Sequence, residues 1–258
     1  MVLMGTLFLS QVIVGQSPRQ GENSHDAPPL QRNRGHTLSA ITFSAALAAE
    51  NPSPSWDGLI AVDSKRLDAV YLLPDADFRP YTKVMFDPVE VALKKNWLRD
   101  YNRTAGDLSG QVSNADVQKA FETIRTEFTE IFAKAYSDAG YQVVTTPGPD
   151  VLRVRTGVMN LSVTAPDVRP GNSRTVSRDA GEATLILEAR DSETGAVMGR
   201  AVDRRLAGDD ISSRMMRNSV TNRTDFSRLF AVWAKASVDG LAELKALSPV
   251  NVSALPLK

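Results

Sequence analysis

Residues 115–139 read ADVQKAFETIRTEFTEIFAKAYSDA, and the period of this stretch decides the fold class. Val117, Phe121, Ile124, Phe128, Ile131, Phe132 and Ala135 recur at spacings of three and four, while Lys119, Glu122, Arg125, Glu127 and Glu130 take the other face. That is the pattern of an amphipathic helix, whose single apolar stripe requires one packing partner. Ser113 with Asp116 three residues later resembles a capping box with a shorter acid, and Gly140 supplies a left-handed stop. Glu130 and Lys134 form a favourable i,i+4 pair.

The partner is a sheet, read from both sides of this helix. Before it, Ala69–Leu73 (AVYLL) is a short strand stopped by Pro74. Tyr81–Leu93 (YTKVMFDPVEVAL) is an extended segment broken at Pro88, which cannot donate to a ladder and so marks an edge or a bulge. After the helix, Tyr141–Thr145 and the turn Pro147-Gly148-Pro149-Asp150 lead into Val151–Val163, a long strand rich in β-branched residues. Gly181–Arg205 reads as a hairpin turning at Ser192-Glu193-Thr194-Gly195. Ala183, Leu185, Leu187 and Ala189 alternate there with Thr184, Glu188 and Arg190, interrupted by Ile186, so one face is expected buried and the other largely wet.

Pro166–Ser177 reads as a loop, and Leu206–Arg223 as loop or short helix. A second long helix is expected from Asp225 to Leu247, capped by Thr224 and carrying Phe226, Leu229, Phe230, Trp233, Leu241 and Leu244. The expected architecture is α+β, a mixed, mainly antiparallel sheet of about five strands with two long amphipathic helices on one face. One domain spans residues 67–247, preceded by a linker at 49–66 that contains Asn51–Asp57 (NPSPSWD) and followed by a tail at 248–258.

Residues 1–48 read as a signal-peptide region. Arg32 and Arg34 form a basic segment, Leu38–Leu47 (LSAITFSAAL) an apolar one, and Ala46-Leu47-Ala48 an A-x-A site with cleavage between Ala48 and Ala49. The other reading of Leu38–Ala49 is a short core helix. Met1–Val14 is also apolar, but it has no Lys or Arg and is shorter than the ~20 residues that span a bilayer. Residues 1–31 then read as an over-extended gene start. No stretch after Ala49 has the ~18 consecutive apolar residues of a membrane span, and the expected address is the periplasm or outside the cell.

Composition restricts the chemistry. The chain of 258 residues carries 30 Lys and Arg against 30 Asp and Glu, so no overall field draws it to nucleic acid, and no nucleic-acid partner is expected. It has no Cys, which removes disulfides, thiolate nucleophiles and lipobox acylation. Both histidines, His25 and His36, precede the cleavage site, so the processed chain lacks Ser-His and Cys-His catalysis and His-ligated metals. Asp75, Asp77, Asp209 and Asp210 are the remaining acids in suggestive pairs, but none sits in a calcium-loop pattern and acidic dipeptides usually mark solvated turns. No nucleotide-binding glycine motif occurs. No catalytic residue, metal or cofactor is therefore assigned.

Binding candidates are surface residues. Arg214-Met215-Met216-Arg217 suits an adaptable protein contact, though both methionines could equally tuck beneath the sheet edge, and Tyr81 and Trp97 could add contacts.

The ordered set of Tyr81–Leu93, the helix ending at Gly140-Tyr141, Val151–Val158 (VLRVRTGV) and the hairpin ending in Val202-Asp203 resembles a bacterial family, Domain of Unknown Function 3313. Met85-Phe86-Asp87-Pro88 is its most distinctive piece, and the resemblance covers Leu67–Leu244. It implies an envelope protein, often a lipoprotein, although this chain has no Cys to acylate. The expected function is an exported, non-catalytic binding or adaptor module whose partner is another envelope protein or a cell-wall component. The alternatives are a carboxylate-dependent glycan hydrolase of the envelope and a self-assembling structural component.

Overall fold

Val151–Val163 (VLRVRTGVMNLSV) forms one strand of 13 residues, and the sheet is built outward from it. A computed structural model describes residues 55–105, 110–164, 175–177, 179–208, 215–217 and 219–255, with backbone alone at 175–177, 215–217 and 219. In chain order the elements are β1 (Ser55–Trp56), β2 (Leu59–Val62), β3 (Ala69–Leu72), β4 (Lys83–Phe86), β5 (Glu90–Leu93), α1 (Trp97–Thr104), α2 (Asn114–Asp138), β6 (Gln142–Val143), β7 (Val151–Val163), β8 (Thr175–Ser177), β9 (Gly181–Asp191), β10 (Val197–Ala207), β11 (Met215–Arg217) and α3 (Ser219–Leu247).

The fold is α+β, but the sheet is larger than the sequence suggests. Among the described residues nine strands join in the order β1-β2-β3-β10-β9-β7-β4-β6, with β5 also on β7, and β8 with β11 forms a separate two-stranded sheet. It is fully mixed: β4 pairs in parallel with β6 and β7, β5 in parallel with β7, and the other neighbours are antiparallel. The expectation of about five strands fails first at the amino end. Pro52 and Pro54 suggested a linker, yet Asp57 and Gly58 sit at φ 52 and 82 and close a hairpin between β1 and β2. Two left-handed residues in a row are what the tight hairpin turn demands, and Asp-Gly is a favoured pair for it. It fails again where β8 and β11 occupy stretches read as loops.

Pro88 marks a bulge. Five residues from Phe86 to Glu90 run beside four from Val154 to Gly157, so β4 and β5 lie end to end along β7 with one residue extra. Gly181 is required for a different reason. Its φ is +141, and a Cβ there would lie 1.9 Å from the Ser162 carbonyl oxygen where β9 closes on β7.

Helix α2 begins with the expected box: Ser113 Oγ accepts from the Asp116 N–H at 3.1 Å, and Asp116 returns the bond to the Ser113 N–H at 2.9 Å. Gly140 follows its end at φ +89. Lys134 pairs forward with Asp138 at 2.7 Å, not back with Glu130. Helix α3 starts at Ser219, six residues before the expected start, and Thr224 is inside it, its hydroxyl donating to the Val220 carbonyl at 2.9 Å. Thr224 is therefore not the cap; Val220, Thr221 and Asn222, weak helix formers, masked the earlier turn.

Both long helices cover one face of the sheet and touch each other, α2 over β4–β6 and α3 over β10. Phe128 stacks on Phe132 at 4.1 Å and meets Phe230 of α3 edge-on at 5.3 Å, above Leu152, Val154, Val158 and Leu185. Each such ring buried is worth about 2–3 kcal/mol of transfer free energy. The opposite face is not wet at its centre. Ile186 and Glu188 are each 1% exposed there, beside Arg190 and Arg200, whose aliphatic stems cover apolar strand surface while their charged ends pair.

Candidate functional site

The packing of α3 on the sheet leaves a cleft of about 320 Å³. The strands contribute Leu152, Val154, Leu187, Ala189, Gly199 and Ala201; α3 contributes Ala236, Ser237, Gly240, Leu241 and Leu244; Phe78 and Tyr136 add aromatic wall. The space exists because small residues line much of it. Gly199 sits directly across from Ala189, and Ala201 from Leu187, beneath the Ala236-Ser237 and Gly240 turns. Gly199 also allows β3 to approach, since a Cβ there would come within 3.2 Å of a Leu72 methyl. Gly240 is different: a Cβ at that position meets no atom within 4 Å, so a larger side chain there enters open space.

Two polar groups lie in this apolar wall. Tyr136 from α2 and Ser237 from α3, both buried, share a hydrogen bond of 2.6 Å between their hydroxyls. Burial pushes the Tyr136 hydroxyl up to about 12, against a smaller opposing effect of the Ser237 hydrogen bond, so it stays protonated at any ordinary pH. The pair holds two hydroxyl hydrogens and its mutual bond uses one.

The loop Asp63–Leu67 forms the mouth. Arg66 reaches across it to Glu243 of α3 at 2.6 Å and to Asp239 at 3.9 Å, and Ser64 Oγ accepts from the Arg66 and Leu67 N–H groups. These ion pairs are about half exposed and so contribute at most ~1 kcal/mol each. Lys65 at the same mouth is exposed and makes no ion pair among the described residues.

Among the described residues, neither Tyr81 nor Trp97 lines this cleft. Tyr81 is buried, donates to Asp191 Oδ2 at 2.8 Å and accepts from Lys245 Nζ at its carbonyl, so it offers no contact surface. Trp97 opens α1 half-buried and stacks on Tyr101 at 5.5 Å. Met215, Met216 and Arg217 form β11 against β8. Arg214 lies outside the described residues, as do Ala48 and Ala49. Among the acids, Asp77 is held by the Arg79 guanidinium at 2.7 Å, whose hydrogen bonds keep its carboxyl below the usual range. Asp75 sits in a left-handed turn at φ 60, and Asp209 and Asp210 lie outside the described residues. Among the described residues no three His, Cys, Asp or Glu side chains are placed to hold a metal ion, and no helix is long and apolar enough to cross a membrane.

Sequence reasoning missed Tyr136, Ser237 and Gly240. The signal was a gap in the α3 stripe: between Trp233 and Leu241 every residue except Val238 is small or charged, with a glycine in mid-helix. A glycine there costs about 1 kcal/mol relative to Ala, which points to a packing or functional reason.

No curated protein matches the chain. Among solved structures it is similar to the PelC dodecamer from Paraburkholderia phytofirmans, with 14% identity, a TM-score of 0.31, and coverage of 71% of this chain and 96% of that one. It is also similar to protein XCC0632 from Xanthomonas campestris, with 12% identity, a TM-score of 0.36, and coverage of 72% and 94%. The family described as Protein of unknown function (DUF3313) matches residues 51–237, which takes in the sheet, both long helices as far as Ser237 and most of the cleft; the chain belongs to that family.

Proposed function

We propose that this protein is a non-catalytic binding module of the bacterial envelope that takes an apolar ligand into the cleft between α3 and the sheet. The carrying observation is the cleft itself. Its volume of about 320 Å³ falls at the small end of the ~300–1,000 Å³ typical of ligand sites, and behind its polar mouth the wall is mainly aliphatic and aromatic, with one buried hydroxyl pair. The absence of catalysis is supported by the chemistry around it: a Tyr136 hydroxyl raised by burial is a donor, not a nucleophile, and both histidines of the chain lie ahead of Ala49. The address is supported by Arg32, Arg34, the apolar Leu38–Leu47 and the Ala46-Leu47-Ala48 site.

The test is a titration with the neutral fluorophore N-phenylnaphthylamine. Wild-type protein gives a saturable rise in emission, and Gly240→Leu, which fills the cleft from a helix position where Leu is the better helix former, removes it while the thermal midpoint is kept. No saturable rise in the wild type would end the reading. The address is checked separately by the intact mass of the recovered protein: a periplasmic product beginning at Ala49 supports it, and a cytoplasmic product retaining Met1 overturns it.

A further inference from the structure

We infer that the cleft takes an unbranched acyl chain whose uncharged ester carbonyl accepts a hydrogen bond from the Tyr136–Ser237 pair. This rests on the reading of the cleft as a ligand site and names the ligand's chemistry.

The first ground is a donor hydrogen that the protein does not use. Elsewhere in and just after α3, Thr224, Ser227 and Ser248 each donate to the carbonyl four residues back, at 2.9, 2.8 and 2.6 Å. Ser237 breaks this habit: among the described residues its Oγ bonds only the Tyr136 hydroxyl. One hydroxyl hydrogen of the pair is then left in the wall of an apolar cleft, where an unmet donor is costly. A ligand acceptor at that point supplies what is missing.

The second ground is shape and charge. Ala189, Gly199 and Ala201 face Ala236, Ser237 and Gly240, so the space between strand and helix is a slot walled by small residues. At the ~30 Å³ that a water-sized group occupies, 320 Å³ holds roughly ten methylene groups. Of the three cationic residues that line the cleft, Lys65 and Arg66 belong to the mouth loop, with Arg66 already paired with Glu243, and Arg200 is already paired with Glu188 and Asp57. A carboxylate carried to the hydroxyl pair would lose its hydration without gaining a cation, whereas an ester carbonyl asks only for one donor.

The experiment is displacement of N-phenylnaphthylamine from the full chain by three ligands of similar length: methyl decanoate, undecane and decanoate ion. Wild type is expected to bind methyl decanoate about tenfold more tightly than does the double variant Tyr136→Phe/Ser237→Ala, which removes both hydroxyl hydrogens; tenfold is the size of one net hydrogen bond. Undecane, which offers no acceptor, should lose less affinity in the double variant than the ester does. Equal affinity of wild type and double variant for methyl decanoate, blocked in both by Gly240→Leu, would overturn this inference and leave the cleft reading standing. Decanoate binding as tightly as the ester would overturn it too, as would one ligand per two chains, which puts a second copy over the cleft. Should the double variant fail to fold, the wild-type comparison of methyl decanoate with decanoate decides alone. Failure of the fluorophore itself to bind defeats the cleft reading, a separate result.

Discussion

Trp233 of α3 donates its indole N–H to Oδ2 of Asp203 on β10 over 2.8 Å, and both side chains are sealed from solvent. The same carboxylate accepts from the Asp68 N–H at 3.1 Å and from Arg205 Nε at 2.5 Å, while Arg205 also donates to the Arg66 carbonyl at 2.9 Å. One buried acid thus ties the helix, the sheet and the loop at the cleft mouth. Asp203→Ala leaves the buried Trp233 N–H, the part-buried Asp68 N–H and the partly exposed Arg205 guanidinium without their acceptor and is expected to cost about 3–5 kcal/mol in urea unfolding. Trp233→Phe, which removes one donor of three and some ring area, should cost roughly 1–3 kcal/mol. Equal stability of Asp203→Ala and wild type would show that the loop and helix are held by other contacts.

How much of this was legible depends on whether a feature is local in sequence. The α2 stripe, the Ser113–Asp116 box and the Pro88 bulge are set by neighbours within a few residues, and each appears where the pattern puts it. The β1–β2 hairpin was local as well, since Asp57-Gly58 is a recognised turn pair, but two prolines just upstream outweighed it. The burial of Ile186 and Glu188 depended on arginines from two other positions, Arg190 and Arg200, which alternation along one strand does not reveal. The cleft was the least legible. It is made by missing side chains on β9, β10 and α3, and only the tertiary contact of those elements brings the gaps together.

Tyr81 and Asp191 give the acid stability a specific handle. Hydrogen bonds from the Thr194 N–H, then the Thr194 hydroxyl, Tyr81 and the Glu193 N–H, hold the Asp191 carboxyl below its usual range against a smaller effect of burial. A folded value below the unfolded one of ~3.9 means that the contribution is complete above that pH and is lost as pH falls through the folded value. The urea midpoint should therefore fall below about pH 4 in the wild type, and Asp191→Asn should flatten part of that fall. Tyr81→Phe removes one of the bonds, so the Asp191 carboxyl should titrate closer to ~3.9 when followed by NMR. Asp77, Asp116, Asp150 and Glu182 are also held low, so a remainder of the acid limb persists in both variants.

Glu188 tests what holds the other face of the sheet. Its two oxygens are taken by Arg190 and Arg200, with side-chain exposures of 2%, 17% and 10% respectively, and Arg200 stands directly across the strand pair from it. Arg200 also pairs with Asp57 at 2.6 Å and lies 4.6 Å over the Trp56 ring, so this cluster fastens the β1–β2 hairpin to the sheet. Glu188→Ala strands two largely buried guanidinium groups and is expected to cost about 3–5 kcal/mol. Replacing the pair together, Glu188→Leu with Arg200→Met, removes both charges and should cost less than the sum of the single changes by about 1–3 kcal/mol. Urea unfolding of the wild type, the two single variants and the double closes the cycle. Strict additivity would mean that the cation over Trp56 and its bond to Asp57, not Glu188, keep Arg200 in place.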